Sequence, residues 1–178
     1  MPDEDVKLIL SLDDNHEFFN TQGMYYKEFP SLFNQIRAFA LFIVQKAPES
    51  FKEINLLEQQ VSELVKNAIK HGNKCVPSKK IKVWYEFNET TYRTRIIVED
   101  EGGGFHNINE WNDFFVKRHK AFLRGDFEEM LRFAAFKTEK SDEDDGGNAL
   151  FAAVEYWNCG FGFNKSTRTK VVAIRSFR

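Results

Sequence analysis

The chain is expected to be α+β: helices on one face of a mixed, mostly antiparallel sheet, a two-layer α/β sandwich. Three observations predict this. Two β-rich runs, Lys80–Phe87 and Thr91–Glu99, flank the turn residues Asn88-Glu89-Thr90 and read as a hairpin. Two long stretches with helical apolar spacing precede it, and a further helix with two closing strands follows. No repeat, linker or shift in composition interrupts the 178 residues, so a single domain over 1–178 is expected.

In chain order, Val6–Leu12 (VKLILSL) alternates and is stopped by Asp13-Asp14-Asn15, which reads as an opening strand. Gly23–Phe29 fits either a short strand or a loop. Ser31–Ala47 (SLFNQIRAFALFIVQKA) follows Pro30, repeats apolar residues at Leu32, Ile36, Phe39 and Ile43, and is closed by Pro48. A second helix is expected from about Phe51 to His71, ended by Gly72-Asn73 with Asn73 as a cap. After the hairpin, residues 106–140 are helix-like and rich in phenylalanine. The acidic, glycine-bearing break SDEDDGG leads into a helix over Asn148–Trp157, then strands near Gly160–Phe163 and Lys170–Arg175.

Composition narrows the class. With 42% hydrophobic and 29% charged residues the chain has the means to fold. A net charge of −2 and a pI near 6.1 argue against a nucleic-acid or anionic-membrane surface. Cys75 and Cys159 form no CxxC pattern and suit a reducing compartment. The N-terminus, MPDEDVKLIL, does not read as a signal peptide, and no apolar window is long enough to span a bilayer, so a cytoplasmic protein is expected.

The stretch ELVKNAIKHGNK, residues 63–74, is the most informative. At 100° per residue, Leu57, Val61, Leu64 and Ala68 form a core stripe about 60° wide. Glu63, Asn67 and His71 fall beside it on a line about 80° wide. Polar groups there either form a solvated flank or line a pocket. Downstream, Asp100-Glu101-Gly102-Gly103-Gly104-Phe105 sets a carboxylate at a strand end before glycines that let backbone approach a ligand. Gly146-Gly147-Asn148-Ala149-Leu150 then opens a helix, where backbone N–H groups suit a phosphate. Each signal is weak alone. Their order, E-x3-N-A-x2-H-G-N, hairpin, D-x-G-x-G-F, long segment, G-G-x-A-L, resembles the Bergerat-fold ATP-binding domain of the GHKL superfamily. Within it, the chain most resembles the anti-sigma-factor serine/threonine kinases of bacterial partner-switching systems, over about residues 50–176.

That resemblance implies ATP and Mg²⁺ as cofactors, with Asn67 holding the metal that bridges the phosphates. It implies Glu63 as general base, one helical turn (about 5.4 Å) away. It assigns Asp100 to the adenine amino group, Gly102 and Gly104 to close backbone approach, and Thr169 to a water-linked adenine contact. Lys70, either a solvated lysine or a phosphate ligand, joins Gly146, Gly147 and Asn148 as ATP-binding candidates. His71 is expected to end the helix or pack beside the nucleotide. The implied function is phosphorylation of an anti-sigma-factor antagonist (a STAS-type protein), with a sigma factor as a further partner and a homodimer compatible with the many aromatics. The alternative is an ATP-gated protein-binding module with little or no phosphotransfer.

Two departures bear on that choice. The family's G-x-G-L reads here Gly147-Asn148-Ala149-Leu150, and alanine does not share glycine's freedom at φ > 0. The segment matching the ATP lid, about residues 106–145, is enlarged and carries Trp111, Phe114, Phe115, Phe122, Phe127, Met130, Leu131, Phe133 and Phe136. It fits either a lid packed on its own core or a docking surface. The run SDEDD, residues 141–145, reads as a solvated acidic loop.

Overall fold

The computed structural model describes residues 10–133 and 147–178. Residues 6–9 of the expected opening strand lie outside this range, as do Phe136, the SDEDD run and Gly146. The described residues fall into two units: Leu10 with the described part of His106–Glu155, and Ser11–Phe105 with Tyr156–Arg178.

The second unit holds a six-stranded mixed sheet, which establishes the α+β class. Its strands are β1 (Ser11–Leu12), β2 (Tyr25–Pro30), β3 (Lys80–Asn88), β4 (Arg93–Glu99), β5 (Gly160–Asn164) and β6 (Lys170–Ser176), in the spatial order β1-β5-β6-β4-β3-β2. Among the described strands the β1–β5 pair is parallel and the other four pairs are antiparallel. The expected hairpin is present in the register Lys82↔Glu99 to Asn88↔Arg93. The ambiguous Gly23–Phe29 run supplies a strand, because Tyr25–Pro30 pairs with β3 along its whole length.

One face of the sheet presents Ile81, Val83 and Tyr85 to the core. Helix α1 (Ile36–Val44) packs there, with the rings of Phe29 and Phe39 stacked 4.5 Å apart. The helix starts later than its apolar spacing suggests. Ser31 is drawn into hydrogen bonds with the Lys79 carbonyl, through N at 3.2 Å and Oγ at 2.8 Å, and a 3-10 turn over Phe33–Gln35 precedes α1. Helix α2 (Ile54–Asn67) buries Leu57, Val61, Leu64 and Val65, so the expected stripe is real and gains Val65. On the opposite face a short 3-10 turn (Glu17–Phe19) sets Phe19 over Ile97, Val172 and Ile174. That is why β4 carries three consecutive buried residues, Ile96–Val98: both its faces are covered.

The first unit contains α3 (Ile108–Arg124), α4 (Phe127–Phe133) and most of α5 (Gly147–Tyr156). The aromatics of the enlarged segment divide. Trp111, Phe114 and Phe115 are buried, with the Phe115 ring stacked on Phe151 and the Arg118 guanidinium 3.5 Å above the Phe151 ring. Phe122, Leu123, Phe127 and Leu131 are exposed. Among the described residues no helix is long and apolar enough to cross a membrane.

Candidate functional site

Because α2 turns Leu57, Val61 and Leu64 inward, Glu63 and Asn67 stand on its flank one turn apart. Asn67 is exposed and its side chain caps nothing. Glu63 is engaged: Lys66 Nζ lies 2.7 Å from Oε2 and 2.9 Å from Oε1. With both side chains partly in solvent, such a pair stabilises by less than about 1 kcal/mol.

Beyond Asn67 the helix widens. Ala68–Gly72 form a π-helical turn, closed by the Asn73 N–H donating to the Ala68 carbonyl at 2.8 Å. Projecting an ideal helix through His71 aligned it with Glu63 and Asn67; the wider turn breaks that line after Asn67. Lys70 and His71 both lie half-buried within the turn.

The turn delivers Gly72 against the loop that follows β4. A Cβ on Gly72 would overlap the Asp100 carboxylate, and a Cβ on Gly102 would overlap the Gly72 carbonyl. Neither glycine has a positive φ, so here the residue supplies room rather than torsional freedom. Gly104 does need the freedom, with φ +89°, and it lies against the Thr167 carbonyl.

Asp100 is held between fixed groups. Its N–H donates to the Thr169 carbonyl at 3.0 Å, and its Oδ1 accepts the Gly102 N–H at 2.8 Å. Burial pushes its pKa up from 3.8 to about 6, against the pull of the Gly102 N–H; Glu99 raises it further and Lys79 opposes. Among the described residues no hydrogen bond reaches Oδ2. A desolvated carboxylate with one oxygen uncommitted can accept a hydrogen bond from a ligand's amino group.

The far wall is the turn between β5 and β6. Thr169 Oγ1 lies 2.8 Å from Thr167 Oγ1, which also takes a hydrogen bond from Asn164 Nδ2 at 2.9 Å. Arg168, itself at φ 56°, brackets Phe105: its carbonyl accepts the Phe105 N–H at 2.8 Å and its Nε donates to the Phe105 carbonyl at 3.1 Å. The structure therefore brings Asp100, Gly102, Gly104 and Thr169 together with Gly72. Glu63 and Asn67 share the helix that ends there. Gly147 and Asn148 lie in the first turn of α5, and Ala149 follows in helical conformation.

Asn73 closes the π-turn as expected of a cap, but its side chain does more: it is fully buried and hydrogen-bonded to Ser31, Lys80 and Glu101. Nothing in the local sequence separates that role from capping. The packing of Gly72 on Asp100 was equally hidden, since H-G-N reads simply as a helix stop.

No cluster of three His, Cys, Asp or Glu residues suited to a metal occurs among the described residues. The chemistry fits a metal held mostly by water and phosphate oxygens, to which Asn67 would add one neutral amide oxygen. Neither protein-family models nor curated proteins match this chain.

Proposed function

We propose that the chain is an ATP-binding protein of the Bergerat (GHKL) type. Within that class we read it as an anti-sigma-factor serine/threonine kinase that phosphorylates an anti-sigma-factor antagonist in the cytoplasm. The observation that supports it most is the interlock of Gly72, Asp100 and Gly102, in which, among the described residues, no hydrogen bond takes up Oδ2 of the half-buried Asp100 carboxylate.

In this reading Asp100 accepts the adenine amino hydrogen, Gly102 and Gly104 keep the loop low beside the base, and Thr169 carries the water-linked contact. Asn67 would hold Mg²⁺, which when bound offsets phosphate charge. Lys70 would serve the phosphates. Glu63 would take the proton of the seryl hydroxyl as that oxygen bonds the γ-phosphorus and the bond from the γ-phosphorus to the β–γ bridging oxygen breaks, so that ADP leaves. Glu63 also lines a groove of about 610 Å³ between α1 and α2, with Phe33, Arg37, Glu58 and Ser62, so an acceptor segment can reach it from solvent.

Calorimetric titration of ATP, with and without Mg²⁺, into wild type and Asn67→Ala tests the reading. Binding that depends on Mg²⁺ and weakens about 10- to 100-fold in the variant is expected. A wild type that binds no nucleotide would end it.

The Lys66–Glu63 ion pair favours a second reading, an ATP-gated binding module with little phosphotransfer. A carboxylate with both oxygens engaged by one ammonium has fewer lone pairs open to an incoming hydroxyl. Phosphate transfer to a seryl partner, set against partner affinity alone, separates the two.

A further inference from the structure

We infer that Asn73 is a positioning residue whose clasp on the loop after β4 fixes the Asp100 carboxyl and so determines which purine the site accepts. This rests on the reading of Asp100 as the group that contacts the base.

Asn73 is fully buried, and three directional bonds fix its amide. Nδ2 donates to Ser31 Oγ at 2.9 Å and to the Lys80 carbonyl at 3.0 Å; Oδ1 accepts the Glu101 N–H at 2.7 Å. These partners belong to the segment before α1, the start of β3 and the loop after β4. Two donors and one acceptor at that reach require a primary amide; a carboxylate lacks the donors and a hydroxyl lacks the span. Ser31 is itself tied to the Lys79 carbonyl, and the Glu101 carboxylate accepts the Lys80 N–H at 2.5 Å.

The consequence falls on Asp100. Its own N–H is fixed by Thr169, and the next peptide N–H, of Glu101, is fixed by Asn73. The carboxyl therefore projects from a stretch clamped on both sides, with Gly72 packed against it. Adenine offers an amino donor at its six-position, whereas guanine offers a carbonyl oxygen that a carboxylate repels. A rigid carboxylate enforces that difference; one free to swing away forfeits it. Releasing the Glu101 N–H removes one side of the clamp and leaves the phosphate contacts in place.

The test titrates ATP, GTP and inorganic tripolyphosphate, each with Mg²⁺, into wild type and Asn73→Ala. It also follows the Asp100 carboxyl by carbon NMR against pH in the nucleotide-free proteins. The expected result is a GTP-to-ATP Kd ratio that falls about tenfold or more, with tripolyphosphate affinity unchanged. The Asp100 midpoint is expected to drop toward the ordinary carboxylate range as solvent enters, with Glu99 and Lys79 unchanged as neighbouring charges. Parallel weakening of all three ligands overturns the inference, as does an unchanged ratio. A wild type that binds tripolyphosphate but neither nucleotide brings down the Asp100 reading itself and the inference with it. Should Asn73→Ala fail to fold, Ser31→Ala, which frees one end of the clasp, is expected to lower the ratio a few-fold; an unchanged ratio there is equally fatal.

Discussion

Helix α2 and its π-turn join two regions built in opposite ways. At the Asp100 end, Gly72, Gly102 and Asn73 are packed against main chain or buried groups, and almost every polar atom has a fixed partner. At the Glu63 and Asn67 end the side chains face solvent and a single partly exposed ion pair links Glu63 to Lys66. The first region is fixed by contacts of the fold itself; the second is held by few. Changes at the first should therefore appear as lost or altered stability, and changes at the second as altered chemistry in a chain that still folds.

The largest effect is expected from Gly102→Ala, whose methyl group has only the Gly72 main chain to displace. A loss of about 3 kcal/mol in urea unfolding is expected; a loss below about 0.5 kcal/mol, the usual span for surface sites, would mean the Asp100 end is looser than its packing.

Asp100→Asn sharpens the contrast by moving stability and binding in opposite directions. Because the folded pKa of Asp100 is raised to about 6, its contribution to stability is fully present below the unfolded value near 4 and is lost as pH rises through 6. The asparagine variant should then melt higher at pH 7.5, by roughly 2–4 °C if solvent reaching the carboxyl leaves about 1 kcal/mol of the effect. The gain should vanish below pH 4, while ATP binding is lost at both. A variant less stable at pH 7.5 would contradict the buried charge.

Lys66→Met probes the open end. Stability should change by under about 0.5 kcal/mol and ATP affinity should hold, while phosphotransfer rises a few-fold as Glu63 is released. Unchanged transfer in a radiolabelled assay would strip the ion pair of any restraining role.

The smallest effect is expected at Asp14, on the surface near the β5–β6 turn. Ser166 Oγ, Asn164 Nδ2 and the Ser166 N–H hold its pKa down at about 2, so its stabilisation is present above the ordinary value near 4 and is lost as pH falls through 2. Asp14→Asn should lower the melting temperature slightly at pH 5, with the difference closing by pH 2. A difference that persists at pH 2 would assign the effect to packing instead of charge.

Much of this is legible in the sequence. The stripe of α2, the β3–β4 hairpin and the flanking place of Glu63 and Asn67 follow from short-range periodicity, which buried faces enforce. His71 marks where that logic stops. Periodicity assumes one helical pitch, and the π-turn after Asn67 is a change of pitch that goes with two tertiary contacts, Gly72 on Asp100 and Asn73 on Glu101. Those contacts bring together residues 28 or more positions apart, so no window on the sequence contains them. The late start of α1 has the same origin, since Ser31 answers to Lys79 rather than to its helical neighbours. Gly102 shows the limit most plainly: the sequence marked it as permissive backbone, while in the fold its lack of a side chain is a matter of clearance.

That clearance also shapes the genetics of the two glycines. A larger residue at position 72 meets a side chain, that of Asp100, and a second mutation shortening Asp100 could restore the fold at the cost of the carboxylate. A larger residue at position 102 meets the peptide carbonyl of Gly72, which every amino acid carries. A screen for folded protein should thus recover second-site changes for Gly72 at codon 100, whereas for Gly102 no replacement at codon 72 removes the obstacle.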